Sequence, residues 1–174
     1  PAIFNMEKLT WFNFEYIRKM PFEEYFSLAK PWLEKALGKD KFDLKRVAEL
    51  THSRTEVFNR LPDMVSFLRQ MPDYDNELYI NKKMKTNVES SLEALKFILP
   101  VLEKIDDWNE TPIHDALMQA ISEAGFKNGA ILWPLRIALS GLQATPGGAV
   151  EIAYLIGKEE SLKRVHAAID RLSK

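Results

Sequence analysis

The residues best suited to binding chemistry lie around a loop in the last third of the chain. This loop, residues 145–148, has the sequence TPGG and lies between two apolar segments. A short loop rich in proline and glycine can be rigid and can present backbone N–H and C=O groups to a partner. Arg136, shortly before the loop, is the only charged residue between Lys127 and Glu151. The pattern predicts a recognition surface rather than a catalytic centre.

A second candidate is Arg54, in the sequence THSRTE. Ser53 and Glu56 have the S-x-x-E spacing of a capping box, which predicts a helix with Arg54 at its first position. From the residues alone, the simpler interpretation of Arg54 is an exposed arginine without function, since surface arginines usually have none. Arg136 could likewise be a snorkelling side chain or one half of a buried ion pair.

The other residues do not predict an enzyme. The histidines, His52, His114 and His166, are scattered, and none has the H-E-x-x-H spacing of a metal site. The sequence GKE at residues 157–159 lacks the first glycine and the hydroxyl residue of a phosphate-binding P-loop. The patterns G-x-S-x-G and G-x-G-x-x-G after a strand are also missing. We therefore predict no catalytic residue and no metal ligand in this chain.

Composition and charge narrow the class of protein. The 174 residues, 46% of them hydrophobic, suffice for one large domain or two small ones that share a core. The absence of cysteine favours the reducing cytoplasm, and no apolar run approaches the roughly 18 residues of a membrane span. A net charge of −1 disfavours DNA or RNA binding by charge alone but leaves recognition of one shaped RNA open. The chain begins without an initiator methionine, and we expect a fragment.

Helical periodicity runs through almost the whole chain and predicts an all-α fold of two packed helical subdomains. The polar stretch at residues 73–85 places their boundary so that the subdomains are 1–78 and 79–174. Thr111 and Thr145 each precede a proline, which predicts two helices with these threonines as N-caps. Gly157 predicts a helix end before a final amphipathic helix over residues 158–172.

Three stretches, in order, resemble the C-terminal part of bacterial glutamyl-tRNA synthetases. Residues 4–13, FNMEKLTWFN, resemble the F-x-x-E-K-L-x-W-x-N passage that follows the catalytic body of these enzymes. Residues 54–68, RTEVFNRLPDMVSFL, resemble the helices that come next. Residues 134–159 contain PLRIALSG, TPG and IGKE, which resemble the family pattern P-L-R-x-A-L-T-G…P…G-K-E. The similarity spans essentially the whole chain.

The resemblance implies the anticodon-binding region of a class I aminoacyl-tRNA synthetase, built from two all-α subdomains. The parent enzyme would attach glutamate to its tRNA with ATP and Mg²⁺, using H-I-G-H-like and K-M-S-K-S-like motifs that this chain lacks. Residues 81–85, NKKMK, do not replace the second motif, because they lack its serine and lie in the wrong domain. The resemblance thus implies a cytoplasmic, monomeric piece with no cofactor of its own. Its partner would be the anticodon loop of glutamate tRNA, with no DNA or membrane partner.

The resemblance also assigns roles to the candidate residues. In the family, an arginine at the position of Arg54 contacts the last anticodon base, a cytosine, and enzymes that charge only glutamate tRNA tend to have arginine there. A guanidinium suits this task because its donors can meet the O2 and N3 acceptors of cytosine. Arg136 is implied at the anticodon-loop surface, and Trp133 nearby is better interpreted as a core residue than as a base-stacking one. The residues implied to contact the first anticodon bases are Thr145, Pro146, Gly147 and Gly148.

Two points remain open at this stage. The family often carries a bulky apolar residue at the position of Gly148, so this contact is weaker here or is supplied by a neighbour. The alternative function is a helical protein-interaction module, in which the loop and the aromatic first helices bind another protein. The near-neutral charge favours the alternative, whereas the order of the three motifs favours RNA binding.

Overall fold

Helices account for nearly all regular structure in residues 5–174, which are the residues that the structure, a computed structural model, describes. Within this range there are nine α-helices and two short 3₁₀ segments, with no strand beyond one isolated bridge. The predicted all-α fold is confirmed. Phe4, the first residue of the FNMEKLTWFN stretch, lies outside the described residues. None of the helices described is long and apolar enough to cross a membrane.

The chain divides into two compact units, and the first extends to Arg69. Its core is built on one face of the second helix, where Tyr25, Ala29 and Leu33 are fully buried at a spacing of four residues. This i, i+4 spacing forms the apolar stripe on which the third and fourth helices pack. The helices of this unit are α1 (Met6–Lys19), α2 (Phe22–Leu37), α3 (Leu44–His52) and α4 (Leu61–Arg69), with a 3₁₀ turn at Phe58–Arg60.

The second unit, Gln70–Lys174, is built around a helix that is apolar on nearly all sides. The helices of the unit are α5 (Val88–Glu103), α6 (Glu110–Glu123), α7 (Asn128–Ser140), α8 (Ala149–Ile156) and α9 (Lys158–Leu172). The central helix is α7, and a helix of that composition is stable only when it is covered by other elements. It packs mainly against α5, α8 and α9.

The boundary between the units lies at residues 69 and 70, whereas the sequence places it at 78 and 79. Tyr74 accounts for the difference, because it precedes residue 79 in the chain and yet packs within the second unit. A Cβ atom added at Gly141 would lie 2.9 Å from the Tyr74 ring, and the Tyr74 hydroxyl group is 2.9 Å from that of Tyr79, which is fully buried. The polar stretch therefore packs as part of the second unit.

Local signals locate some helix ends well and miss others. Gly157 ends α8 with a positive φ of 83°, and the predicted final helix, residues 158–172, is confirmed. The predicted N-cap Thr111 is wrong, because α6 begins two residues earlier than predicted, at Glu110, after the N-cap Asn109. Pro112 still lies in the first turn, where a missing N–H breaks no helical hydrogen bond.

Candidate nucleic-acid interface

Arg136 braces the loop that follows α7. Its Nη1 donates a hydrogen bond to the Thr145 hydroxyl at 2.9 Å, and its Nη2 donates to the Gln143 carbonyl oxygen at 2.8 Å. The guanidinium carbon lies 4.7 Å from the centre of the Trp133 ring, in cation–π geometry. A planar group held by two hydrogen bonds and one ring has little freedom to rotate. The guanidinium of Arg136 thus holds the loop, which a snorkelling side chain would not do.

Thr145 lies at the centre of the loop, and only 4% of its surface is exposed. Its hydroxyl accepts the bond from Arg136 and donates to the Gly147 carbonyl oxygen at 2.9 Å. The predicted N-cap role of Thr145 is wrong, because its hydroxyl is engaged within the loop and α8 begins later, after Gly148. Gly147 has φ of 82°, a conformation that side chains disfavour. The loop conformation is therefore set by side-chain hydrogen bonds and by glycine.

Gly148 caps α8 with its backbone. Its N–H donates to the Glu151 carboxylate at 2.9 Å, which is the half of a capping box that a glycine N-cap can form. A Cβ atom added at Gly148 would lie 3.2 Å from the same carboxylate oxygen, so a bulky residue would press on the cap. Packing against this cap therefore favours glycine at position 148. Pro146, within the loop, is buried.

The start of the loop is held from two sides. Gly141, the C-cap of α7, has φ of 65°, and a Cβ there would lie 2.9 Å from the Tyr74 ring. The Arg164 side chain, only 3% exposed, donates to the Leu139 carbonyl oxygen at 2.7 Å and to the Glu160 carboxylate at 2.8 Å. Sequence reasoning missed Arg164, although its i, i+4 spacing from Glu160 is a signal for an ion pair on a helix. The contact with α7 joins residues distant in sequence and has no local signal.

The Trp133 ring packs against the Arg136 guanidinium. Its indole N–H donates to the Leu78 carbonyl oxygen at 3.0 Å, and the residue is half-buried. The interpretation of Trp133 as a packing residue agrees with this geometry. The guanidinium occupies one face of the ring.

Arg54 belongs to the first unit and has a different environment. The predicted capping box is wrong, since Ser53 is the C-cap of α3 and residues 54–57 form a turn rather than a helix. The reason is Thr55, which is fully buried and donates a hydrogen bond back to the Thr51 carbonyl oxygen at 2.9 Å. The Tyr25 hydroxyl lies 2.7 Å from that of Thr55 and pins the turn to α2.

The turn thus presents an exposed arginine from a fixed backbone. The Arg54 N–H donates to the Thr51 carbonyl oxygen at 2.9 Å, whereas residues 5–174 supply no hydrogen-bond or ion-pair partner for its side chain. Asn13, the last residue of the FNMEKLTWFN stretch, donates its side-chain N–H to the Glu56 carbonyl oxygen. That stretch therefore helps to hold the turn on which Arg54 lies.

Electrostatics add no catalytic feature to either region. Burial raises the pKa of Tyr25 above its usual range, partly offset by hydrogen bonds with Thr51 and Thr55, and burial also raises the pKa of Tyr79. Both phenols therefore stay neutral at physiological pH and act as buried hydrogen-bonding groups. In the part of the chain that the structure describes, no three His, Asp or Glu side chains are grouped so that they could hold a metal ion.

Comparison with known proteins now assigns the family. A family model described as an anticodon-binding domain matches residues 24–169. The glutamate–tRNA ligase of Clostridium tetani is 52% identical over 172 residues, which are 99% of this chain and 35% of that protein. The glutamate–tRNA ligase of Clostridium acetobutylicum is 48% identical over 174 residues, which are 100% of this chain and 36% of that protein. The chain thus spans about a third of the length of these curated relatives.

Solved structures share the fold. A glutamate tRNA ligase from Elizabethkingia meningosepticum, in complex with its amino acid, has a TM-score of 0.75 and 23% identity, over 97% of this chain and 33% of that chain. Glutamate-tRNA synthetase from Elizabethkingia anophelis has a TM-score of 0.71 and 22% identity, over 96% of this chain and 32% of that chain. At this level of identity the likeness concerns the fold alone.

These findings confirm the resemblance and do not support the protein-interaction module. The roles of the individual residues remain predictions, because none of the comparisons tests them. The matched range contains both the turn that carries Arg54 and the loop braced by Arg136. With most of its length inside that match, the chain belongs to the anticodon-binding domain family.

Proposed function

We propose that the chain binds the anticodon loop of glutamate tRNA, as the anticodon-binding part of a glutamate–tRNA ligase. The observation that carries the proposal is the 52% identity to the Clostridium tetani ligase over 99% of this chain. The ligase activity itself would require the part of such an enzyme that the chain does not span. The domain would hold the tRNA while a catalytic body acts at the other end of that molecule.

The loop held by Arg136, residues 145–148 and called here the braced loop, supports this function by its fixed shape. Bases of a single-stranded RNA loop are recognised when they are splayed out against main-chain groups and apolar surfaces. Because hydrogen bonds of Arg136 and Thr145 fix the loop, little conformational entropy would be lost when a base binds. We propose that residues 145–148 contact the first anticodon bases, with Arg136 holding the loop in place for them.

The exposed arginine supports recognition of one base. Arg54 projects from a turn whose backbone is pinned by the buried Thr55. A fork of guanidinium donors on a fixed backbone can meet the Watson–Crick edge of a cytosine in one orientation. We therefore propose that Arg54 contacts the last anticodon base.

ATP and Mg²⁺ would be bound by the catalytic body and not by this domain. The two ATP-binding motifs that such enzymes use, H-I-G-H-like and K-M-S-K-S-like, do not occur in this sequence. We expect the domain to act in the cytoplasm and as a monomer.

The test is a binding titration with two RNAs, glutamate tRNA and a variant whose last anticodon base is changed from cytosine. Wild-type protein should prefer the cytosine by about 1–3 kcal/mol, the usual discrimination of a good bidentate contact. The Arg54→Gln variant should lose this preference and retain its fold. The control is Arg69→Gln, which removes another exposed arginine of the same unit. Equal binding of both RNAs by wild-type protein would contradict the proposal.

A further inference from the structure

A local excess of positive charge lies away from the residues discussed so far. No acidic residue occurs between Glu77 and Glu89, and this stretch contains three lysines in the sequence KKMK. Lys82, Lys83 and Lys85 are exposed, and residues 5–174 supply no ion-pair or hydrogen-bond partner for any of the three side chains. In a chain whose net charge is −1, such a cluster is a local feature rather than a general one.

The segment that carries these lysines has a fixed conformation. The backbones of Asn81 and Thr86 are joined by two hydrogen bonds of 3.1 and 3.0 Å, which close a loop around the lysines. Inside the loop, the Asn81 side chain accepts a hydrogen bond from the Met84 N–H at 3.0 Å. Lys85 has φ of 58° and is the one non-glycine residue with positive φ in the described range. Such a conformation persists only where the surrounding structure determines it.

Met84 seats the loop on α7. A Cβ atom added at Gly129 would lie 2.5 Å from the Met84 sulfur, so the methionine occupies the space of a side chain there. Gly129, Trp133 and Arg136 have the i, i+4, i+7 spacing of one helix face. The loop that carries the lysines therefore contacts the same face of α7 as Arg136, at Gly129, which is about 10 Å from Arg136 along the helix axis.

Lys127 adds a fourth charge to this surface. It is the N-cap of α7, is exposed, and precedes Gly129 by two residues. A positive charge at a helix N-terminus opposes the helix dipole, so the stability of α7 does not explain this lysine.

We propose that Lys82, Lys83, Lys85 and Lys127 bind the sugar–phosphate backbone of the RNA whose anticodon the neighbouring loop recognises; this rests on the proposed function. Lysine ammonium groups attract phosphates as point charges and do not distinguish bases. The four residues, called here the lysine surface, thus supply affinity that is independent of RNA sequence. Recognition of the bases remains with the loop and with Arg54.

The test compares salt dependence in two triple variants of the full chain. One is Lys82→Gln/Lys83→Gln/Lys85→Gln, and the matched control removes three exposed lysines of the first unit, Lys35, Lys39 and Lys41, in the same way. Dissociation constants are measured from 50 to 200 mM salt for the cytosine-bearing anticodon stem-loop and its changed-base variant. Each phosphate contact contributes about 0.7–0.9 to the slope of log K against log salt, so the first triple should reduce the slope by about two units.

The two RNAs separate this proposal from the proposed function. The lysine surface is supported if the first triple variant lowers the affinity for both RNAs by the same factor and the control triple variant leaves the salt slope unchanged. The proposal of a lysine surface would be overturned if the first triple variant left the salt slope unchanged, or if the control triple variant reduced the slope equally. This holds even if wild-type protein prefers the cytosine-bearing RNA. Equal binding of the two RNAs by wild-type protein would overturn the base recognition in the proposed function, while the change in slope would still decide whether the lysine surface contacts phosphates. If wild-type protein binds neither RNA at 50 mM salt, both are wrong.

Discussion

The two candidate arginines are held in opposite ways. The guanidinium of Arg136 is engaged by Thr145, by Gln143 and by the Trp133 ring, so its contacts shape the protein. Arg54 has a pinned backbone and an exposed side chain without a partner among residues 5–174. In the proposed function, the same residue type therefore acts in two ways: Arg136 shapes the surface that meets the RNA, and Arg54 contacts a base directly.

The difference has a consequence for mutational data. Loss of RNA binding after a change at Arg136 would follow either from a lost base contact or from a disordered loop. The same loss at Arg54 can be assigned to the contact itself, because the fold does not depend on the side chain. Each variant must therefore be measured for stability as well as for binding.

The largest expected effect concerns Arg164, which holds the end of α7 ahead of the braced loop. Arg164→Met removes the buried guanidinium that donates hydrogen bonds to the Leu139 carbonyl oxygen and to the Glu160 carboxylate. We expect the free energy of unfolding, measured by urea titration, to fall by about 2–3 kcal/mol, because the Leu139 carbonyl oxygen loses its buried donor while Glu160, 36% exposed, stays accessible to water. Lys163→Met on the exposed side of α9 should change it by less than about 0.5 kcal/mol. Similar values for the two variants would show that Arg164 does not support the loop.

An intermediate effect is expected at Arg136. Lysine keeps the charge but has no planar fork, so Arg136→Lys cannot bond Thr145 and Gln143 in the same geometry. We expect a loss of about 1–2 kcal/mol in unfolding free energy and faster hydrogen exchange at the Gly148 N–H. Binding of both anticodon variants should weaken together, because the loop rather than one base contact is affected.

A double-mutant cycle checks this interpretation. Thr145→Val removes the hydroxyl that Arg136 bonds, so the two changes delete one shared interaction. Their combined cost should be smaller than the sum of the single costs by about 1 kcal/mol. Strictly additive costs would mean that the brace contributes nothing, and the contrast with Arg54 would disappear.

The smallest effect on stability is expected at Arg54. Arg54→Lys should change the unfolding free energy by less than about 0.5 kcal/mol, because no residue among 5–174 depends on the side chain. Discrimination between the two anticodon variants should nevertheless fall, since lysine lacks the bidentate fork. A stability loss as large as that of Arg136→Lys would show that Arg54 is a structural residue as well.

Sequence reasoning succeeded where the signal is local. Gly157 and the amphipathic pattern after it predict the final helix with its ends, because a glycine C-cap and a 3.6-residue period act within a few residues. The capping box at Ser53 failed although its spacing is right. There the buried hydroxyls of Tyr25 and Thr55, thirty residues apart, hold the chain in a turn. A tertiary contact thus overrode a local preference.

The sequence by itself determined the all-α class, the family and the candidate residues, because periodicity and motif order are properties of the chain. Only the tertiary structure decided what these residues do physically. The bond between Arg136 and Thr145, the seating of Met84 on Gly129 and the exposure of Arg54 each depend on how helices pack. The physical reason is that hydrogen bonds and burial act over a few ångströms in space, whereas the spacing of residues along the chain records only local geometry.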